Sequence, residues 1–268
     1  MGICVYCMKR NLYIMGGYAK CGTTSVYKAL NNANYLTSGL NKESHYISDL
    51  SSHGPKKHFD KRKKWNLKAI EKLEKPSPIY IEFSTSTEVS LQTYLDYYLQ
   101  VSKDYPHPIL ADFSTTNADV PLNVWYDFKE FMSPYFNVKC LFIMRHPMER
   151  LVSLANWWGG IDNLDRAFNY SKNQYQTNYQ KFSSLFDCCS IDGIRFMNEG
   201  LGKDKLEKFF EVPIPEFEHR VDKPVNRYLE LKISSALMHE FPSKTIKRKV
   251  ERMMSKEIEF YKRSVENF

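Results

Sequence analysis

Short apolar runs alternate along the chain with longer stretches in which apolar residues recur at helical spacing. Leu12 to Met15, Ile79 to Phe83, Ile109 to Ala111 and Val138 to Met144 are predicted as strands, with Ile194 to Met197 as a further candidate. Between them, Val89 to Val101 carries Leu91, Tyr94, Leu95, Tyr98 and Leu99 at the three- and four-residue intervals of one helix face, so these aromatics are read as core. The segment after Pro147 places Leu151, Leu154 and Ala155 on one side of a second helix. From Ser243 onward, Ile246, Val250, Met253, Ile258, Tyr261 and Val265 predict a docked amphipathic helix. Strands that read as continuous apolar runs are buried on both faces, so the alternation predicts an α/β fold with a parallel sheet flanked by helices. In that architecture ligands bind outside the carboxyl ends of the strands.

The first strand runs directly into a loop with chemistry. In LYIMGGYAKCGTTSVYKAL, Leu12 to Leu30, the apolar run breaks at Gly16 and Gly17 and a helical pattern begins after Gly22. A strand, a glycine-bearing turn and a helix N-terminus aim backbone N–H groups and the positive end of a helix dipole at one point, which holds an anion. Thr23, Thr24 and Ser25 add hydroxyl donors, Lys20 adds a mobile charge, and Cys21 and Gly22 lie between them. A nucleoside-triphosphate loop reads G-x-x-x-x-G-K-[ST], and Gly17 to Thr24 departs from it because Thr23 stands where the lysine belongs. The lysine comes earlier. The arrangement K-x-G-T-T, Lys20 to Thr24, is similar to the 5′-phosphosulfate loop of sulfotransferases that use 3′-phosphoadenosine 5′-phosphosulfate (PAPS). Taken by itself, the same stretch also fits a tight strand-to-helix connection without a ligand.

A second segment has the same form. The apolar run Val138 to Met144 ends at Arg145-His146-Pro147, and RHPMERLVS resembles the R-x-P-x-x-R-x-x-S pattern of the same family. The resemblance implies that Arg145 and Ser153 bind the 3′-phosphate of the donor. An arginine fork suits phosphate oxygens, and a serine two turns into the helix adds a donor to the same group.

Two further stretches concern the acceptor. NKESHYI, Asn41 to Ile47, resembles the K-E-x-H segment of glycan-type sulfotransferases, particularly the heparan sulfate group. It implies Glu43 as the base that takes the acceptor proton, supported by His45, with His45 itself as base in the alternative. ILADFSTT, Ile109 to Thr116, resembles the strand and loop that bring Asp112 and Ser114 near the acceptor. It departs from the pattern at Phe113, where several members carry a lysine, and lacks the following proline and tyrosine. Asp112 is therefore a second-rank catalytic candidate.

Composition narrows the picture less. With 268 residues, 43% of them apolar, and no repeat or long linker, the chain is expected to form a single sulfotransferase domain over 1–268. No run approaches membrane-span length, and the first motif begins by Leu12, so the expectation is a cytoplasmic protein or, alternatively, one from which an N-terminal anchor has been removed. The six cysteines show no second pair to match Cys4-x-x-Cys7, so free thiols and no metal are expected. The formal charge of +7 is concentrated in SSHGPKKHFDKRKKWN, where Lys56, Lys57, Lys61, Arg62, Lys63 and Lys64 are expected in a solvated loop or, alternatively, against an anionic glycan. No nucleic-acid motif is present.

The reading is a PAPS-dependent sulfotransferase that leaves 3′,5′-adenosine bisphosphate as product. IRFMNEGLGKDKLEKFFEV resembles that family's strand followed by a helix. A P-loop kinase or nucleotide triphosphatase, and a non-catalytic nucleotide-binding protein on the same fold, are the alternatives. Oligomeric state and acceptor identity have no pattern to read.

Overall fold

A computed structural model of the protein describes residues 9–51, 59–159, 164–171, 174–214, 252 and 254–266. Among these, five strands form one parallel sheet: β1 (Arg10–Met15), β2 (Leu36–Thr37), β3 (Ile109–Asp112), β4 (Phe136–Met144) and β5 (Asp187–Asp192), in the order β2-β3-β1-β4-β5. β1 pairs in parallel with β3, Ile14 opposite Asp112, and with β4, Met15 opposite Leu141. The helices between them are α1 (Thr23–Asn32), α2 (Tyr46–Leu50), α3 (Phe59–Ile70), α4 (Pro78–Thr85), α5 (Leu91–Asp104), α6 (Leu122–Met132), α7 (Pro147–Trp157), α8 (Leu164–Ser171), α9 (Gln174–Ser183), α10 (Gly193–Glu199), α11 (Lys203–Phe210) and α12 (Ser255–Tyr261). The α/β parallel sheet expected from the sequence is therefore present.

The chain groups into two compact units. The first comprises the described residues of Met1–Gly16, Leu30–Leu141 and Phe182–Cys188. Leu12 to Met15 of β1 and all four residues of β3 are buried, as runs covered on both faces must be. Its aromatic core stacks Phe83 on Tyr97 at 3.8 Å and on Tyr46 at 4.6 Å, with Phe128 edge-on to Tyr94. The tyrosines of α5 thus lie in the core, as their spacing predicts. The second unit comprises the described residues of Gly17–Ala29, Phe142–Lys181 and Cys189–Phe268. There Leu151, Leu154 and Ala155 of α7 pack with Ala167 of α8.

Several sequence expectations change. Ile79 to Phe83, read as a strand, lies within α4: the Ser77 hydroxyl accepts the Ile79 N–H, and Pro78 occupies the first turn. A short apolar run fits a buried strand or a helix equally, and here the cap decides. Ile194 to Met197 is likewise helical, in α10. Asp192 caps it by accepting the N–H groups of Ile194 and Arg195 at 2.8 Å each, so the strand precedes the predicted one as β5. The stretch IRFMNEGLGKDKLEKFFEV accordingly forms two helices, α10 and α11, rather than a strand and a helix.

The basic stretch is not a loop from Phe59 onward. Lys61, Lys63 and Lys64 are exposed on α3, whereas Arg62 is buried against Asp49 at 2.5 Å. Lys56 and Lys57 lie outside the described residues, as do Cys4, Cys7, and Ile246, Val250 and Met253 of the predicted terminal helix. Tyr261 and Val265 of that segment are buried. Cys21, Cys140, Cys188 and Cys189 form no disulfide. Among the described residues no helix is long and apolar enough to cross a membrane.

Candidate functional site

The candidate residues form two clusters, one in each unit. In the second unit the chain leaves the strand at Gly17, where a Cβ would lie 2.5 Å from the Ile143 carbonyl oxygen, so the loop runs flush against β4. It then turns through Lys20 and Gly22, both left-handed at φ 68° and 86°, before α1 begins at Thr23. Gly22 accommodates that conformation without strain, while at Lys20 it has an energetic cost. The Gly22 carbonyl accepts the N–H groups of Ser25 and Val26, at 3.0 and 3.1 Å, which sets the first turn of α1. The leading N–H groups of a helix have no acceptor within it, so this turn carries the anion-binding end of the dipole. Gly193, at the start of α10, closes against the same loop: a Cβ there would run into the Cys21 carbonyl.

Lys20 and Arg145 share this unit and feel each other. Burial, and after it the positive charge of Arg145, lower the Lys20 ammonium below the ordinary lysine value. Two cations held near one another define a place where an anion is stabilised. The Lys20 ammonium sits 5.0 Å from the ring centre of Trp157, at the end of α7. Arg145 is buried, and its Nε donates to Glu149 at 3.1 Å. Ser153, on the same helix as Glu149, is half-buried.

Sequence reasoning missed the residues that tie these segments together. Arg150, the second arginine of RHPMERLVS, is 1% exposed. Its Nε donates to the Ala19 carbonyl at 3.4 Å, Nη2 donates to Gln174 Oε1 at 3.0 Å, and the guanidinium lies 4.4 Å from the ring centre of Tyr18. Tyr175 of α9 is buried beside Cys21 and the Arg145 backbone. Arg150 had a signal in its motif; Tyr175 had none.

In the first unit the structure brings Glu43, His45 and Asp112 together. Asp112, at the end of β3, is fully buried and accepts four hydrogen bonds. Oδ1 takes the Ser114 N–H at 3.0 Å and the Ser114 hydroxyl at 2.5 Å, and Oδ2 takes the Ser44 and Tyr94 hydroxyls at 3.0 Å each. Burial pushes the Asp112 carboxyl above its usual range, against the pull of those four donors. Ser114 Oγ in turn accepts the His45 N–H at 2.9 Å, and the Phe113 N–H reaches the Lys42 carbonyl at 3.2 Å. The buried carboxylate thus fixes the backbone of the loop that carries Glu43 and His45.

His45 is 3% exposed and has a left-handed backbone at φ 54°. Its Nδ1 lies 3.0 Å from Thr116 Oγ1 and its Nε2 3.4 Å from Glu43 Oε2. Glu43 keeps 23% of its side chain exposed, pairs with Lys42, and accepts from Thr115 Oγ1 at 3.3 Å. Of the three candidates it is the one open to solvent. Among the described residues no three His, Cys, Asp or Glu side chains converge as a metal site.

No protein-family model matches the chain, and no curated protein sequence does. Among solved structures, the chain is similar to the sulfotransferase domain from the Synechococcus PCC 7002 olefin synthase, with a TM-score of 0.52 and 12% identity over 82% of this chain and 83% of that one. The sulfotransferase STF9 from Mycobacterium avium matches with a TM-score of 0.46 and 11% identity over 94% of this chain and 76% of that one. At the first of these likenesses the shared feature is the fold, so the chain has the α/β fold of a sulfotransferase domain.

Proposed function

We propose that the chain is a sulfotransferase, one domain over 1–268, that moves a sulfuryl group from PAPS to an acceptor hydroxyl by in-line displacement. The observation that carries this reading is the placement of Lys20, in a strand-to-helix loop ahead of α1, in one unit with the buried strand-end Arg145, where burial first and the charge of Arg145 after it lower the lysine's proton affinity. Two cations and a helix N-terminus fit a ligand with phosphate at both ends of a nucleoside. When bound, such a donor supplies an electrophilic sulfuryl group on a phosphate leaving group.

The residues of the chain do the rest. The α1 N-terminus, with Cys21, Gly22, Thr23, Thr24 and Ser25, holds the 5′-phosphosulfate end, and Arg145 and Ser153 hold the 3′-phosphate. Lys20 offsets the charge that grows on the departing phosphate, where a preorganised cation has its largest effect. Glu43 takes the acceptor proton, because it alone of the three candidates reaches solvent, with His45 Nε2 3.4 Å from that carboxylate in support. The transferring group carries less charge than a phosphoryl group, so lysine, arginine and backbone donors serve where a kinase uses magnesium. Exposed Lys61, Lys63, Lys64 and Lys68 on α3, in the same unit as Glu43, support an anionic carbohydrate as acceptor.

Thermal melting tests the donor without knowledge of the acceptor. A ligand that binds only the folded chain stabilises it by about 2.7 kcal/mol at a hundredfold excess over Kd. 3′,5′-Adenosine bisphosphate without magnesium should raise the Tm, ATP at the same concentration should do much less, and Arg145→Ala should remove most of the shift. A magnesium-dependent shift with ATP and none with the bisphosphate would overturn the reading in favour of a kinase-like one.

A further inference from the structure

We infer that Tyr175 is a positioning residue for the donor: its hydroxyl holds the phosphate loop and the strand-end arginine in register, although it touches neither reacting group. The inference rests on the sulfotransferase reading and goes beyond it, since no motif in the sequence marks α9.

The hydrogen-bond inventory of that hydroxyl supports the role. Tyr175 O–H donates to the Arg145 carbonyl at 2.9 Å, and the Arg145 N–H donates back at 3.3 Å. Cys21 Sγ lies 3.3 Å from the same oxygen. A phenol has one hydrogen and two lone pairs, so with its hydrogen given to Arg145 the contact to Cys21 takes the single thiol hydrogen, for which the Ala19 carbonyl, 3.8 Å from Sγ, is the more distant competitor. Burial keeps that thiol protonated by raising its pKa, which makes Cys21 a hydrogen-bond donor within the loop rather than a nucleophile. One buried oxygen therefore joins residues 124 positions apart, one on each donor-binding segment.

Tyr175 is itself held from two sides. Its N–H donates to Glu257 Oε2 of α12 at 2.8 Å, a carboxylate placed at the N-terminus of α9 where the helix dipole favours it. Its neighbour Gln174 receives Arg150 Nη2 at 3.0 Å through its side chain and the Tyr18 hydroxyl at 2.9 Å through its carbonyl. Arg150 also grips the Ala19 carbonyl. The loop from Tyr18 to Cys21 is thus anchored to the first two residues of α9, and α9 to α12.

The test uses the full chain, with Tyr175→Phe, Cys21→Ala and Cys21→Ser titrated against 3′,5′-adenosine bisphosphate and against 5′-AMP. Phenylalanine keeps the ring and removes both arms, including one partner of the buried Arg145 N–H and carbonyl, so the Kd for the bisphosphate should rise about fivefold or more and the apo Tm should fall by only about a few degrees. Cys21→Ala removes one arm and should cost about two- to threefold, and Cys21→Ser, whose hydroxyl can donate in place of the thiol, should lose less than Cys21→Ala. Because the lost register concerns the two phosphates together, 5′-AMP should be affected less than the bisphosphate in Tyr175→Phe, and KM for the acceptor should stay unchanged. An unaltered bisphosphate Kd in Tyr175→Phe, or equal losses for both nucleotides alongside a large fall in apo Tm, would overturn the inference and leave the sulfotransferase reading standing. Failure of the wild-type chain to bind the bisphosphate would overturn both.

Discussion

Replacing Asp112 separates a positioning carboxylate from a catalytic one. Its four hydrogen bonds are all accepted, and only one donor, the Ser114 backbone N–H, cannot turn elsewhere. In Asp112→Asn the amide oxygen can keep the Oδ1 position facing Ser114, and the NH2 can take the Oδ2 position, where the Ser44 and Tyr94 hydroxyls rotate to accept. Four bonds then persist in neutral form, each weaker by about 0.5–1 kcal/mol than its charge-assisted counterpart. Against that loss stands the removal of a buried charge. Because burial raises the Asp112 pKa despite its four donors, the ionised carboxylate is disfavoured in the fold relative to its neutral form, and the amide resembles the neutral form. The two effects oppose, so Asp112→Asn should change stability by only about 1 kcal/mol or less.

Asp112→Ala behaves differently. It orphans the buried Ser114 N–H, at about 1–3 kcal/mol, and removes the acceptor of three hydroxyls at about 1 kcal/mol each, less what Ser44 recovers from Ser114 Oγ at 3.4 Å. The sum is about 3–5 kcal/mol, or a fall in Tm on the order of 10 °C for a chain of this size. The pH dependence has a fixed sign: a carboxyl whose folded pKa is raised contributes stability that is full below its unfolded value and lost as pH rises through the folded one. Wild type should lose that component on going from acid towards neutrality, and Asp112→Asn should not. Melting curves across pH and initial rates of sulfuryl transfer check this together, with Asp112→Asn keeping activity within about tenfold because the loop backbone stays in place. A loss of 100-fold or more in Asp112→Asn at unchanged Tm would refute the reasoning and make Asp112 a base.

Glu43→Gln preserves shape but removes the open carboxylate, so turnover should fall on the order of 100-fold with the bisphosphate Kd little changed. Activity within a few-fold of wild type would move the role to His45. Lys20→Ala should lower turnover by about 3 kcal/mol of barrier or more and weaken donor binding less. In wild type, donor kcat/KM should decline on the alkaline side below the ordinary lysine range, since burial and Arg145 lower that pKa and only the ammonium serves; an unchanged alkaline limb in Lys20→Arg would count against the assignment. Gly193→Ala places a methyl against the Cys21 carbonyl and 2.5 Å from Ile143 Cγ2, so it should cost about 1–3 kcal/mol of stability and weaken bisphosphate binding more than acceptor binding.

How much of this was legible follows from the range of the contacts. β1, β3 and β4 could be read because a strand covered on both faces has to be apolar throughout, and each carries such a run. β5 could not: Asp187-Cys-Cys-Ser-Ile-Asp192 has too few aliphatic residues to announce itself, and Ile194 to Met197 beside it looks more like a strand than it does. What decides against that stretch is its punctuation, the Asp192 cap and the left-handed Gly200 at φ 69° that closes α10. Ser77-Pro78 plays the same part for α4. In both places capping chemistry was a better guide than apolar runs, because a run of four or five residues cannot distinguish the two periodicities.

The candidate site divides on the same line. Lys20 to Ser25, Arg145 and Ser153, and Glu43 with His45 lie in stretches of nine residues or fewer, where a strand end and the following turn fix geometry locally, so each stretch is short enough to carry a motif, and its resemblance to sulfotransferase motifs is what singled them out. The residues that make those stretches usable act across the chain. Asp112 fixes the backbone beside His45 from 67 positions away through Ser114, and Tyr175 reaches Cys21 from 154. Neither relation leaves a periodicity or a motif, because a buried hydroxyl needs only a partner in space. Arg150 is the informative intermediate: its motif announced an arginine, but nothing local distinguishes a side chain that grips phosphate from one that grips the carbonyl of Ala19. Burial tells them apart, since Arg150 is 1% exposed, lies among Tyr18, Tyr170 and Tyr175, and directs Nε to the Ala19 carbonyl and Nη2 to Gln174.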